Sequence, residues 1–182
     1  MKKIYFSLLM ISAMFMAASC GNKSNSGEAP AEEKAEVKEV TFTDPAISYL
    51  SGIDLTSYFS AESLTQPGIW EDTNSSMYHL TTSVKLKLQK KINIEQDSSL
   101  SGFIYFYVKF CDKNGSKIAE SESIYRDPDE ISKMNEGTII TLEGTSSENE
   151  PFEEQMQKKL DKVEKIEVSI STMNIKFAET AE

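Results

Sequence analysis

Between Val84 and Glu95 apolar and polar residues alternate. Val84, Leu86, Leu88, Ile92 and Ile94 fall on even numbers; Lys85, Lys87, Gln89, Lys91, Asn93 and Glu95 fall on odd ones. Successive side chains of a strand point to opposite faces, so this period of two describes a half-buried strand. Lys90 interrupts the apolar row and predicts a bulge or the end of a sheet there. Gly102 to Cys111 is apolar on both faces, with Ile104, Phe106, Val108 and Phe110 on one and Phe103, Tyr105, Tyr107, Lys109 and Cys111 on the other. A strand of that kind belongs in the middle of a sheet. Asp112-Lys113-Asn114-Gly115 then reads as a tight hairpin turn, in which Asn-Gly supplies positive φ. The spacing predicts a third strand over 116–125 and a fourth over 137–142.

The flanking segments are less regular. Asp44-Pro45 has the residues of a helix start, an acidic cap followed by proline in the first turn. It predicts a short helix with Ile47 and Leu50 inward, ended near Gly52, and 54–59 suggests a second. Gln66-Pro67-Gly68 is a turn signal leading to Ile69-Trp70 at a strand start or at one end of the core. Phe152, Met156, Leu160 and Val163 recur at helical spacing behind Pro151, so 151–163 is read as a helix. Ile166, Val168 and Ile170 alternate, as do Met173, Ile175 and Phe177 on the other parity. That switch predicts a kink near Ser171-Thr172. Hairpin-linked strands with short N-terminal helices and one late crossover helix make a mostly β protein, an antiparallel β-sandwich over 39–180.

The run from Phe106 through Asp112-Lys113-Asn114-Gly115 to Ile118 resembles the hairpin of FxLYD-like, immunoglobulin-like domains of bacterial surface lipoproteins. The resemblance spans roughly residues 80–177. Cys111 stands where tyrosine is commoner, and 121–150 lacks the usual Pro-Gly-Glu turn. It implies an immunoglobulin-like sandwich and a cell-envelope location, and no reaction.

The N-terminus carries a separate message. Lys2 and Lys3 precede an uncharged apolar run from Ile4 to Ala18, which ends in Ala17-Ala18-Ser19-Cys20. A basic start, a short apolar run and small residues describe a secretory signal peptide over 1–19. The run is shorter than the ~20 residues of a spanning helix. Small residues directly before Cys20, with Gly21 after it, resemble the lipobox of bacterial lipoproteins, although Ala17 stands where leucine is usual. The resemblance implies that Cys20 is lipidated and becomes the mature N-terminus, with chains enough for stable anchoring. Gly21 in place of Asp implies, by likeness to the enterobacterial sorting pattern, the outer membrane if the organism is Gram-negative. Residues 22–36 contain nothing more apolar than Ala or Pro, so 20–38 is expected to be a lipidated, flexible acidic linker.

Charge narrows the partners. Without residues 1–19 the chain has 17 Lys and Arg against 29 Asp and Glu, a net charge near −12. Phosphate backbones and anionic headgroups would both be repelled. The expected partners are therefore a membrane through the lipid, and an envelope protein or polysaccharide, with no nucleic acid.

Residues for chemistry are sparse. His79 is the sole histidine and has no nucleophile motif near it; the expectation is a strand residue and no enzyme activity. With Cys20 lipidated, Cys111 has no intrachain partner and reads as buried packing. One His and one free Cys cannot hold zinc, and no cofactor is implied. Asp127, Asp129 and Glu130 are a calcium candidate set against a solvated turn. Tyr105 and Tyr107, with Lys85 and Lys87 on a neighbouring strand, form a candidate aromatic and basic ligand face, to which Trp70 adds a stacking platform. The alternative is that the 151–163 helix covers the two tyrosines. Replacing the anchor residue is the direct test of the N-terminal reading: Cys20→Ala is expected to move the protein from the membrane fraction to the soluble one. Retention of that variant in membranes would refute lipidation at this residue.

Overall fold

The computed structural model describes residues 45–96 and 101–178. Contacts divide the chain between Lys38 and Glu39, and every described residue belongs to the second unit, 39–182. The signal peptide, Cys20 and the linker lie outside the described residues. Among those described, no helix is long and apolar enough to cross a membrane.

The chain runs through β1 (Ala46–Ser51), a 3-10 turn (Thr56–Tyr58), β2 (Phe59–Leu64), β3 (Gly68–Asp72), β4 (Met77–Leu88) and β5 (Ile94–Gln96). β6 (Phe103–Cys111), β7 (Lys117–Glu120) and β8 (Ile124–Arg126) follow, then α1 (Pro128–Lys133), β9 (Ile139–Glu150), α2 (Glu153–Leu160), β10 (Lys165–Met173) and β11 (Ile175–Phe177). One sheet has the order β1-β10-β6-β7, with β8 also on β6. The second is built on β4, which pairs with β2, β3 and β9, and β5 with β11 makes a two-stranded ribbon.

The strand with two apolar faces is central, as its sequence requires: β6 pairs with β10 along one edge and with β7 and β8 along the other. Its even-numbered residues, Ile104, Phe106, Val108 and Phe110, are fully buried. The even row of β4 meets them from the second sheet, with Leu80, Val84, Leu86 and Leu88 buried. Phe59 of β2 packs edge-on against Phe106 across the two sheets, ring centroids 5.6 Å apart. Two sheets sharing one apolar core give the layering of a β-sandwich. Ser121 and Ser146 bridge its two sheets along one side. α2 packs on β3, β4 and β9 at one end, burying Met156. At the other end α1 lies against β5, with Ile131, Ile92, Ile94 and Ile175 buried.

Several expectations need correction. The residues after Asp44-Pro45 form a strand, not a helix. β1 runs parallel to β10, so the sheet is mixed. Ser48 donates to Glu167 at 2.6 Å and shares a 2.8 Å hydrogen bond with Ser169, while Ser51 pairs with Ser171 at 2.7 Å. Those cross-strand bonds, with the backbone ladder, satisfy groups that an isolated helical turn would leave open. Leu50, expected inward, is exposed. The second short helix shrinks to the 3-10 turn, held by Asp54, whose carboxylate accepts from the N–H and hydroxyl of Thr56. The run from Val84 ends at Leu88, and β5 belongs to the ribbon; Lys90, at the break, lies over the Tyr58 ring at 4.1 Å. The expected single strand over 116–125 is two, divided at Ser121, which stays bonded to Val108 of β6 while it bridges to Ser146 of the second sheet. β9 runs on to Glu150. The parity switch falls at Asn174, in the left-handed region (φ 54°), rather than at Ser171-Thr172. Phe152 points to solvent at 64 % exposure.

In the DKNG turn only Gly115 has positive φ (83°), and Asp112 ties it down by accepting from the N–H groups of Asn114 and Ser116. Gly144 has a different purpose. A Cβ there would stand 2.7 Å from Val108 Cβ, so the missing side chain lets β9 approach β6. Gly144→Ala is expected to cost about 1–3 kcal/mol by overpacking, read as a lowered melting temperature. Val108→Ala in the same chain removes the two Cγ atoms that the new methyl meets at 2.9 and 3.0 Å, so the two losses together should be smaller than their sum. If the two changes are simply additive, this contact does not set the sheet separation.

Candidate functional site

The odd-numbered side of β6 faces away from the core and carries the predicted tyrosines. Tyr105 stacks on Phe103 with centroids 5.7 Å apart and planes 13° apart. Tyr125, opposite Tyr105 on β8, tilts against both rings, 6.2 Å from Tyr105 and 5.6 Å from Phe103. Tyr125 is 44 % exposed and Met173, opposite Phe103, is 47 % exposed. Tyr107 continues the row. α2 packs on β3, β4 and β9, so the helix does not cover this face. Partial desolvation and then the charge of Asp127 hold the Tyr125 phenol above its ordinary value.

Beyond Tyr107 the face turns polar. Ser169 lies opposite Tyr107, and Glu167 lies opposite Lys109. Glu167 is held below the usual carboxylate range, first by the Ser48 hydroxyl and then by Lys109, whose Nζ is 3.5 Å away. Leu50, Tyr107, Lys109 and Glu167 line a cleft of about 520 Å³ with Cys111 in its wall. The thiol is free and buried, and burial pushes its pKa up, which makes it a poor nucleophile.

Lys85 and Lys87 are not part of this face. Both lie on β4, in the other sheet, where they pair with Thr141 and Ile139 of β9. The alternation placed them on an outward face correctly, but it carries no information on which sheet that face belongs to. Trp70 is also on the second sheet. It stands opposite His79 across the β3–β4 hairpin, with ring centroids 5.5 Å apart. Together they wall a groove of about 510 Å³ that Asp72, Glu143 and the connection at Glu122 and Ile124 complete. His79 Nδ1 is 2.8 Å from the Ser146 carbonyl, a contact that requires the proton on Nδ1. The Ser146 hydroxyl is committed to the backbone: it donates to the Glu148 carbonyl and accepts from Leu80 N–H.

Sequence reading missed this groove because its residues come from three distant segments. One signal was present. Counting outward from the turn 73–76 puts Asp72 opposite Met77 and Trp70 opposite His79.

Asp127 is the cap of α1, accepting from Asp129 N–H at 2.7 Å, and Asp129 and Glu130 lie in the first helical turn. That is the helix-start use of acidic residues. Among the described residues no group of three His, Cys, Asp or Glu is placed to hold a metal ion.

No protein family matches the chain, and no curated protein or solved structure matches it.

The lowered Glu167 carboxyl has a pH signature. A carboxyl depressed in the folded state adds stability above its unfolded pKa and loses it as pH falls through the folded value. Glu167→Gln is expected to lower the melting temperature at about pH 7 and by less near about pH 3, as the parent carboxyl takes up its proton. The effect is small, below about 1 kcal/mol, because the pair is part-exposed. An equal deficit at both pH values would assign the loss to packing instead.

Proposed function

We propose that this chain is a lipid-anchored protein of the bacterial cell envelope that works by binding rather than by catalysis. The sequence around Cys20 supports the anchor, and Gly21 supports the outer membrane if the organism is Gram-negative. The excess of acidic residues favours attachment through lipid over attachment through a basic surface. The sandwich is read as immunoglobulin-like on the β6–β7 hairpin and the helical crossover between sheets, with the parallel β1 as a departure. Its partner is an envelope protein or a surface polymer.

One observation carries the binding reading: the row Phe103, Tyr105, Tyr107 and Tyr125 is in no part fully buried, and among the described residues no helix packs over it. Aromatic side chains concentrate binding energy at interfaces because each removes a large, rigid surface from water. The near-parallel rings of Phe103 and Tyr105 favour a second reading within this class, a carbohydrate-binding accessory protein. Flat sugar rings stack on such planes. Trp70 does not extend this row, because it belongs to the other sheet.

Co-sedimentation with isolated cell-envelope polysaccharide, set beside crosslinking capture from intact cells, tests both readings. Tyr105→Ala with Tyr125→Ala is expected to weaken retention roughly tenfold or more while the fold persists, since these positions carry little of the core. Unchanged binding by the double variant would remove this face from the function. Capture of a protein with no retention on polysaccharide would decide against the carbohydrate reading.

A further inference from the structure

The chain has one tryptophan, and 47 % of it is exposed on the second sheet, away from the tyrosine row. Trp70 and Ile124 give its groove two apolar surfaces, and Asp72, Glu122 and Glu143 give it three carboxylates. Elsewhere in the domain Glu95, Glu120, Glu150, Glu154 and Glu167 each have a lysine within 4.0 Å. The three groove carboxylates have none among the described residues, and no Lys or Arg lines the groove. Lys85 and Lys87 lie further along β4 and outside it. Asp72 is held in its charged form by the Ser75 hydroxyl and the Asn74 N–H. Among the described residues Glu143 accepts from the Ser83 hydroxyl alone, at 3.1 Å.

We propose that this groove binds an alkylammonium group, with the Trp70 ring and Ile124 against its methylenes and the carboxylates of Asp72, Glu122 and Glu143 around its charge. Tryptophan is the aromatic residue that attracts a cation best, through the negative face of its ring. A neutral sugar would also stack on Trp70, but it would bring no charge to the three carboxylates, beside which His79 is the one titratable base of the groove and acts on Asp72. An anionic ligand is opposed by all three. The β9 bulge helps to build the site. It draws the Ser146 side chain inward and leaves the Ser146 carbonyl to hold His79 beside Trp70. The charge can come from a lysine side chain or from a quaternary headgroup; both present the same chemistry to these residues.

The single tryptophan makes the test direct. Purified full-length chain is titrated with n-butylammonium, choline, n-butanol and N-acetylglucosamine while Trp70 emission is followed. The two cations are expected to shift the emission saturably, with affinity on the order of millimolar or weaker for one group, and the two neutral probes are not. A stronger response to butylammonium assigns the lysine-like source, and a stronger response to choline the quaternary one. Added salt weakens the binding. Glu122→Gln and Glu143→Gln, both at exposed positions, should each raise the titration midpoint roughly three- to fivefold. Trp70→Phe, followed through the proton resonances of the sole histidine, should raise it by about fivefold. The proposal is overturned if a neutral probe shifts Trp70 as the cations do, if no probe does, or if both glutamine variants titrate like the parent chain.

Discussion

Val108 of β6 stands against the bare backbone of Gly144 of β9, where a Cβ would lie 2.7 Å from it. Face-packed sheets lie about 10 Å apart when side chains fill the space between them. Here one partner has no side chain, so β9 moves in towards β6. The same approach brings Ser146 within reach of Ser121 and joins the sheets along that side. With the sheets joined there, the connection 121–124 is drawn over β9 and becomes a wall of the Trp70 groove. The buried row of β6 supplies the apolar energy of the core, and Gly144 determines how that core closes.

The two candidate surfaces follow from one property of β6 and one of β4. β6 spends its even residues on the core and has aromatic residues left over on the other side, which β8 and β10 border without covering. β4 has polar and charged residues on its outer side, and β3 and β9 add Trp70 and Glu143 to it. The domain therefore presents an uncharged aromatic face on one sheet and an acidic, partly aromatic groove on the other. The two surfaces meet at β8, where Ile124 of the groove is followed by Tyr125 of the aromatic face.

Much of this was legible in the residues. The alternation at 84–88 and 103–111, the DKNG turn and the inward Met156 and Val163 of the α2 region all report local geometry, and local geometry is what periodicity encodes. Pairing between distant segments is not encoded that way. The placement of Lys85 and Lys87 away from Tyr105, and the division of 116–125 by the Ser121–Ser146 bridge, depend on such pairings. β1 shows the limit most clearly. Asp44-Pro45 has good helix-start residues, but the open edge of β10 offers five residues of ladder, Glu167 to Ser171, and a row of hydroxyls, and tertiary pairing overrides the local preference.

β1 is attached differently from the rest of the domain. None of its six residues is buried, and its side chains join β10 through the hydroxyls of Ser48, Ser51, Ser169 and Ser171. Ile47 is the one side chain of the strand that packs against the core, so release of the strand uncovers less apolar surface than that of a central strand and belongs among the local openings of a native protein. Tension applied along the N-terminal segment reaches the domain through this strand first. The polar seam can part and re-form as a mechanical slip joint while the apolar core stays intact.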